Sequence, residues 1–204
     1  RLTGDGHIVL LHDDDVSRVC GVEGRISQMT LAQTRALSLN GTDERVPTLE
    51  EALAVIGDRA PVIVEMKSNG REHTALPAAV ADTLRGYRGQ CAVESFDPLM
   101  LRAFRRLSPG IPRGQLASRR PVSAHRPLAF ALSRFLFNFL SRPDFIAYEW
   151  DRGGSLSYRL LARVFRVPAA AWTVADQKAY HALKKRYDIQ IFERFIPNKP
   201  IERN

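Results

Sequence analysis

Long apolar runs are missing from this sequence of 204 residues. None approaches the ~18 uncharged residues that a membrane-spanning helix requires. Cysteine is nearly absent as well. Cys20 and Cys91 cannot build a disulfide framework and have no metal-ligand spacing, so they read as buried or idle thiols of a reducing, cytoplasmic compartment. With 13 glycines and 12 prolines, a collagen-like or linker-like chain is excluded, and a hydrophobic fraction of 45% excludes disorder. No signal-like run opens the chain, and no Pro/Gly/Ser stretch divides it. Residues 1–204 are therefore expected to form a single domain of ordinary size.

Acidic residues are absent between Asp97 and Asp144, where nine arginines lie, from Arg102 to Arg142. The whole chain carries +8, so the remainder is close to neutral. A neutral body with one basic segment points to a local anionic partner such as a phospholipid, a phosphate ester or nucleic acid. A solvated face whose acidic complements come from elsewhere in the fold explains it equally well. Nucleic acid is not expected, because neither a helix-turn-helix signature nor an interleaved aromatic platform is present.

What is present is alternation. Thr3-Gly4-Asp5-Gly6 has turn chemistry and leads into the strand His7–Leu11. A helix is predicted over Ser27–Leu39. Thr48 with Glu51 three residues later opens a second helix. Strands then begin at Val62, Cys91, Arg113, Phe145, Ala169 and Ile189. Helices are predicted between and after them, over Thr74–Tyr87, Pro98–Leu107, Leu128–Leu140, Ser155–Phe165 and Asp176–Tyr187. Apolar strands separated by helices of this length imply a parallel sheet built from βα units.

Several strands end in polar residues: Glu65 and Lys67, Glu94 and Ser95, Glu149, Thr173, Glu193. In a (β/α)8 barrel such ends gather at one mouth. An open doubly wound sheet would usually show a glycine-rich first turn, which is lacking. The expected fold is thus α/β, a TIM-type (β/α)8 barrel with about six of its eight strands, two short of closure. The His7–Leu11 strand reads as half of a hairpin outside the parallel set.

Two positions carry candidate chemistry. His12 leaves an apolar strand and precedes three aspartates, where a neutral imidazole can pass protons near neutral pH. Glu65 ends an apolar run, where a carboxylate needs a partner. That partner is either Lys67, in an ion pair, or a divalent cation, with Lys67 then facing a phosphate.

Taken together, the segments Thr3–Gly6, Val9–Asp13, Ser17-Arg18, Gly21–Gly24, Met29–Leu31, Arg45–Glu51 and Val64–Lys67 resemble the glycerophosphodiester phosphodiesterases. Glu94–Pro98 and Ala171–Val174 agree with them. The resemblance implies a TIM-type barrel that uses a divalent cation, calcium or magnesium, to hydrolyse small glycerophosphodiesters to glycerol 3-phosphate and an alcohol. It makes His12 the second catalytic histidine, Glu65 a metal ligand, Lys67 the basic group near the phosphate and Trp172 an aromatic against the glycerol side of the substrate.

The family's opening His-Arg-Gly strand and Glu-x-Asp strand have no counterpart here. The chain is therefore expected to be an N-terminally truncated product with weakened cation affinity, weakly active or inactive as it stands. Where the family often has Thr-Asp on its last strand, this chain has Phe192-Glu193, and Glu193 receives no role. Residues 127–140 are expected to form a core-facing helix or an interfacial one that brings the enzyme to anionic lipid at the membrane periphery. Two other readings stay open: a non-catalytic membrane- or anion-binding module using the arginine-rich segment 102–142, and a related phospholipase D-like barrel.

Overall fold

The computed structural model describes residues 1–67, 72–118, 135, 137–150, 158 and 160–198. The chain gathers into two units, Arg1–Pro112 and Arg113–Asn204.

In the first unit the opening turn forms as its residues predict. The Thr3 hydroxyl donates to Asp5 Oδ1 at 2.6 Å and accepts the His7 amide at 2.9 Å. Gly6 sits at φ 88°, a left-handed conformation that glycine adopts without strain. The turn folds the chain back so that Leu2 bridges Ile8 antiparallel, and Val9 then bridges Thr48. The chain thus doubles back antiparallel outside the parallel strands as expected, but the strand predicted over His7–Leu11 is reduced to isolated bridges at Ile8 and Val9.

Thr48 starts a helix at once. Its hydroxyl accepts the Glu51 amide at 3.2 Å, and the Glu51 carboxylate accepts the Thr48 amide at 2.9 Å. Two otherwise orphaned donors are thereby satisfied. Replacing Thr48 with alanine is expected to cost ~1 kcal/mol, read as a lower urea midpoint at unchanged m-value.

The helix predicted over Ser27–Leu39 is in fact two short pieces, a 3-10 turn at Ile26–Gln28 and an α-helix at Leu31–Arg35. Thr30 is the cause. Its extended backbone and a capping box with Gln33 begin a new helix there and interrupt any earlier one. Three further helices of this unit are named here: α1 (Leu49–Ile56), α2 (Ala75–Arg85) and α3 (Pro98–Leu107).

Strands β1 (Val62–Glu65) and β2 (Cys91–Ser95) pair in parallel, from Val62 opposite Cys91 to Glu65 opposite Glu94. Val64, Met66 and Val93 turn to one face and join the core formed with Leu53 of α1, Leu76 and Val80 of α2, and Met100, Leu101 and Phe104 of α3. Because successive side chains alternate, Glu65, Lys67 and Glu94 belong to the opposite face.

The second unit holds β3 (Arg113–Ala117), β4 (Phe145–Glu149), β5 (Ala169–Val174) and β6 (Ile189–Phe192), parallel and ordered as in the chain. Gly114 lies where β3 meets β4, against the Phe145 ring, so a Cβ there would force the ring to shift. All six predicted strands are present among the described residues. The helix predicted over Asp176–Tyr187 is Gln177–Leu183, capped by the Asp176 side chain. Leu160–Val164 forms a π-helical turn inside the segment predicted as an α-helix over Ser155–Phe165. Of the predicted helix over Leu128–Leu140, residues 128–134 and 136 lie outside the described set, and its end joins a short helix, Asn138–Ser141.

The arginine-rich segment is not uniformly surface. Arg113 is 5% exposed and pairs with Asp144 at 2.8 Å, so its charge is met by the acid at the edge of that segment. Arg119, Arg120, Arg126 and Arg134 lie outside the described residues.

Candidate active site

The end of β1 carries the first candidates. Glu65 and Lys67 are both half-buried, and Glu65 Oε2 lies 3.2 Å from Lys67 Nζ. The ion pair considered as one reading of Glu65 therefore forms. Opposite Glu65 in register stands Glu94 on β2. Glu94 is 6% exposed, and its Oε2 has no hydrogen-bond partner. Burial pushes the Glu94 carboxyl up to about 7, the negative charge of Glu65 adds to the rise, and Lys67 opposes it. A buried carboxylate facing another carboxylate resists ionisation for both reasons.

These strand ends are pinned together. The Met66 amide donates to the Glu94 carbonyl at 2.8 Å, and the Ser95 hydroxyl donates to the Met66 carbonyl at 2.8 Å. The Ser95 oxygen accepts the Asp97 amide at 3.1 Å. Asp97 in turn caps α3 by accepting the Leu99 amide at 2.8 Å, and its other oxygen meets His73 Nδ1 at 2.5 Å. The His73–Asp97 pair was not anticipated from the sequence. Its members lie 24 positions apart, and only the pairing of β1 with β2 joins them. Glu94 had been visible as a polar strand end, but its burial against Glu65 depends on register.

His12 is exposed, and its Nδ1 lies 2.7 Å from Asp13 Oδ1. Asp13 also holds Arg18 Nε at 2.7 Å. The hydrogen bond with His12 and then the one from Arg18 hold the Asp13 carboxyl below its usual range. With Nδ1 donating to a carboxylate, the neutral ring presents an unprotonated Nε2.

The Arg1 guanidinium grips the His12 carbonyl at 2.9 and 3.2 Å. Beyond Lys67, burial raises the Glu72 carboxyl, the charge of Asp14 adds to the rise and the Arg1 side chain opposes it. His12 bonds Asp13 and Glu65 bonds Lys67, both pairs lying within the first unit.

Trp172 belongs to the second unit. It is half-buried on β5, in register with Glu149 of β4, and packs against the cluster of Leu116, Ala147 and Ala170. Glu149 accepts the Ser118 hydroxyl at 2.9 Å.

Among the described residues no three His, Cys, Asp or Glu side chains come together as a metal cage. The donor chemistry at Glu65 and Glu94 nevertheless suits a hard cation, since one buried carboxylate oxygen beside a second carboxylate is left without a partner.

Comparison with known proteins extends the pattern over most of the chain. A curated glycerophosphodiester phosphodiesterase of Caldanaerobacter subterraneus subsp. tengcongensis is 28% identical over 153 residues, covering 69% of this chain and 63% of that relative. One from Bacillus subtilis is 26% identical over 145 residues, covering 61% of this chain and 50% of its own length. The chain thus spans less than two thirds of either relative.

Among solved structures, an Oleispira antarctica phosphodiesterase in complex with its product sn-glycerol-3-phosphate superposes with a TM-score of 0.78 at 22% identity, over 94% of this chain and 77% of that one. The Thermotoga maritima glycerophosphodiester phosphodiesterase gives 0.71 at 21% identity, over 94% and 78%. The fold is therefore the TIM-type α/β barrel in incomplete form, with six of eight strands among the described residues. The family model for glycerophosphoryl diester phosphodiesterases matches residues 1–190. With Glu65 and Lys67 closing the first parallel strand and His12 held by Asp13, this chain belongs to the glycerophosphoryl diester phosphodiesterase family.

Proposed function

We propose that the chain is a weak hydrolase of small glycerophosphodiesters, releasing glycerol 3-phosphate and an alcohol with the help of a divalent cation, calcium or magnesium. The observation that carries this reading is the Glu65–Lys67 pair at the end of β1, together with the Asp13-bound His12, in a chain of the glycerophosphoryl diester phosphodiesterase family. His12 Nε2 moves the proton at a bridging phosphodiester oxygen, and Asp13 keeps the ring in the tautomer that can do so. Lys67, on the same strand face as Glu65, faces the non-bridging oxygens and offsets their charge. Glu65 would hold the cation, which supplies Lewis-acid stabilisation of the phosphoryl oxygens when bound. Trp172 is assigned to the glycerol side of the substrate by its match to the family's late-strand aromatic. Peripheral contact with anionic lipid through the exposed arginines of the basic segment belongs to the same proposal.

Glycerophosphocholine hydrolysis tests the reading, with glycerol 3-phosphate measured at millimolar calcium or magnesium. Glu65→Ala is expected to remove the cation dependence and most of the rate. Release that is unchanged in this variant, and insensitive to chelator in the parent, contradicts the reading.

A further inference from the structure

We propose that Glu94 is a second carboxylate ligand of the divalent cation that Glu65 would hold, the two glutamates offering oxygens from facing positions of β1 and β2. This rests on the hydrolytic reading above and adds a residue to it.

Three observations carry the assignment. The first is register. Glu65 and Glu94 are direct partners in a parallel pair, and such partners project from the same face of a sheet. Val64 and Val93, their neighbours, both enter the helical core on the other face.

The second is burial without satisfaction. Glu94 is 6% exposed, yet its Oε2 makes no hydrogen bond. A buried carboxyl oxygen left without a partner is costly, and a bound cation would meet it. Neither a donor nor an acceptor meets Oε2.

The third is the charge count. Lys67 Nζ lies 3.2 Å from Glu65 Oε2, so one ammonium serves a site with two carboxylates. A divalent cation between them would meet the unpartnered oxygen and engage the second carboxylate, which Lys67 does not bond. Two carboxylates are also what magnesium commonly takes from a protein, the rest of its shell being water and phosphate oxygens. This accounts for cation chemistry without a cage of three such side chains among the described residues. Pinning of the strand ends by Ser95 and Met66 fixes the spacing of the two glutamates in advance.

Isothermal titration of magnesium chloride and calcium chloride into the 204-residue chain tests the proposal, with metal-free melting followed alongside. Glu94→Gln keeps the shape and removes the charge. It is expected to weaken cation binding ~10–100-fold, with a metal-free melting temperature no lower than that of the parent. Glu65→Gln should weaken binding comparably. If Glu94→Gln binds as the parent does while Glu65→Gln is impaired, Glu94 is not a ligand, and the hydrolytic reading survives. If the parent binds neither cation, the proposal falls together with the cation part of that reading. Should Glu94→Gln fail to fold, Glu94→Asp replaces it: weakened binding supports the assignment and parent-like binding overturns it.

Discussion

Replacing His12 with alanine is expected to lower the rate of glycerol 3-phosphate release by about 10²–10⁴-fold, the usual worth of a positioned proton-transfer group. Almost nothing else should change. The His12 side chain is 71% exposed, and its one bonded side-chain partner among the described contacts is Asp13 at 2.7 Å. Substitution at such a site alters stability by no more than ~0.5 kcal/mol. KM should move little, because the ring acts on a proton in the transition state and adds little to binding in the ground state.

Asp13→Asn provides the companion measurement. Asp13 orients the ring and keeps Nδ1 protonated, so its loss should depress the rate while leaving the imidazole in place. A His12→Ala variant with parent rates would remove His12 from the chemistry.

The largest effect on stability is expected at Phe104. This ring is fully buried on α3, among Met100, Leu101, Leu84, Val80 and Val93. Phe104→Ala forfeits the burial of the ring and leaves a cavity, together costing ~3–5 kcal/mol. For a chain of this size that is a fall in melting temperature of roughly 6–20 °C.

The same core backs β1 and β2, and thus Glu65 and Glu94. Activity should therefore be lost along the unfolding transition, while well below it the rate per folded molecule stays near that of the parent. The two substitutions separate cleanly: His12→Ala removes rate at constant stability, and Phe104→Ala removes stability at constant rate. A melting temperature within 2 °C of the parent, roughly the effect of 1 kcal/mol or less, would show that α3 does not anchor this core.

Much of this architecture could be read in advance because its causes are local. Apart from β3 (Arg113–Ala117), which opens on Arg-Gly-Gln, the strands are largely apolar runs bounded by turn residues, and all six appeared where they were expected. The Thr48–Glu51 capping box is a pattern of four positions, and it formed. Glu65 ends β1 and Lys67 follows two residues later, so their pairing needed only neighbouring stretches of chain.

Long-range facts were hidden. Nothing near Glu94 announces that Glu65 stands beside it, since that depends on the register of two strands separated by a helix. His73 finds Asp97 for the same reason. Arg113 looked like one more charge in a basic stretch, but its position on β3 buries it against Asp144. The helix predicted over Ser27–Leu39 misjudged a local competition, in which the apolar spacing favoured continuity and the Thr30 cap enforced a break.

The central claim is that His12 and the Glu65–Lys67 pair serve one phosphate. A crystal structure with glycerol 3-phosphate bound measures this directly. The account predicts one phosphate within hydrogen-bonding distance of both His12 Nε2 and Lys67 Nζ, with Glu65 beside it. A phosphate bound by Lys67 while the His12 ring faces away into solvent, or seated at neither residue, would contradict it.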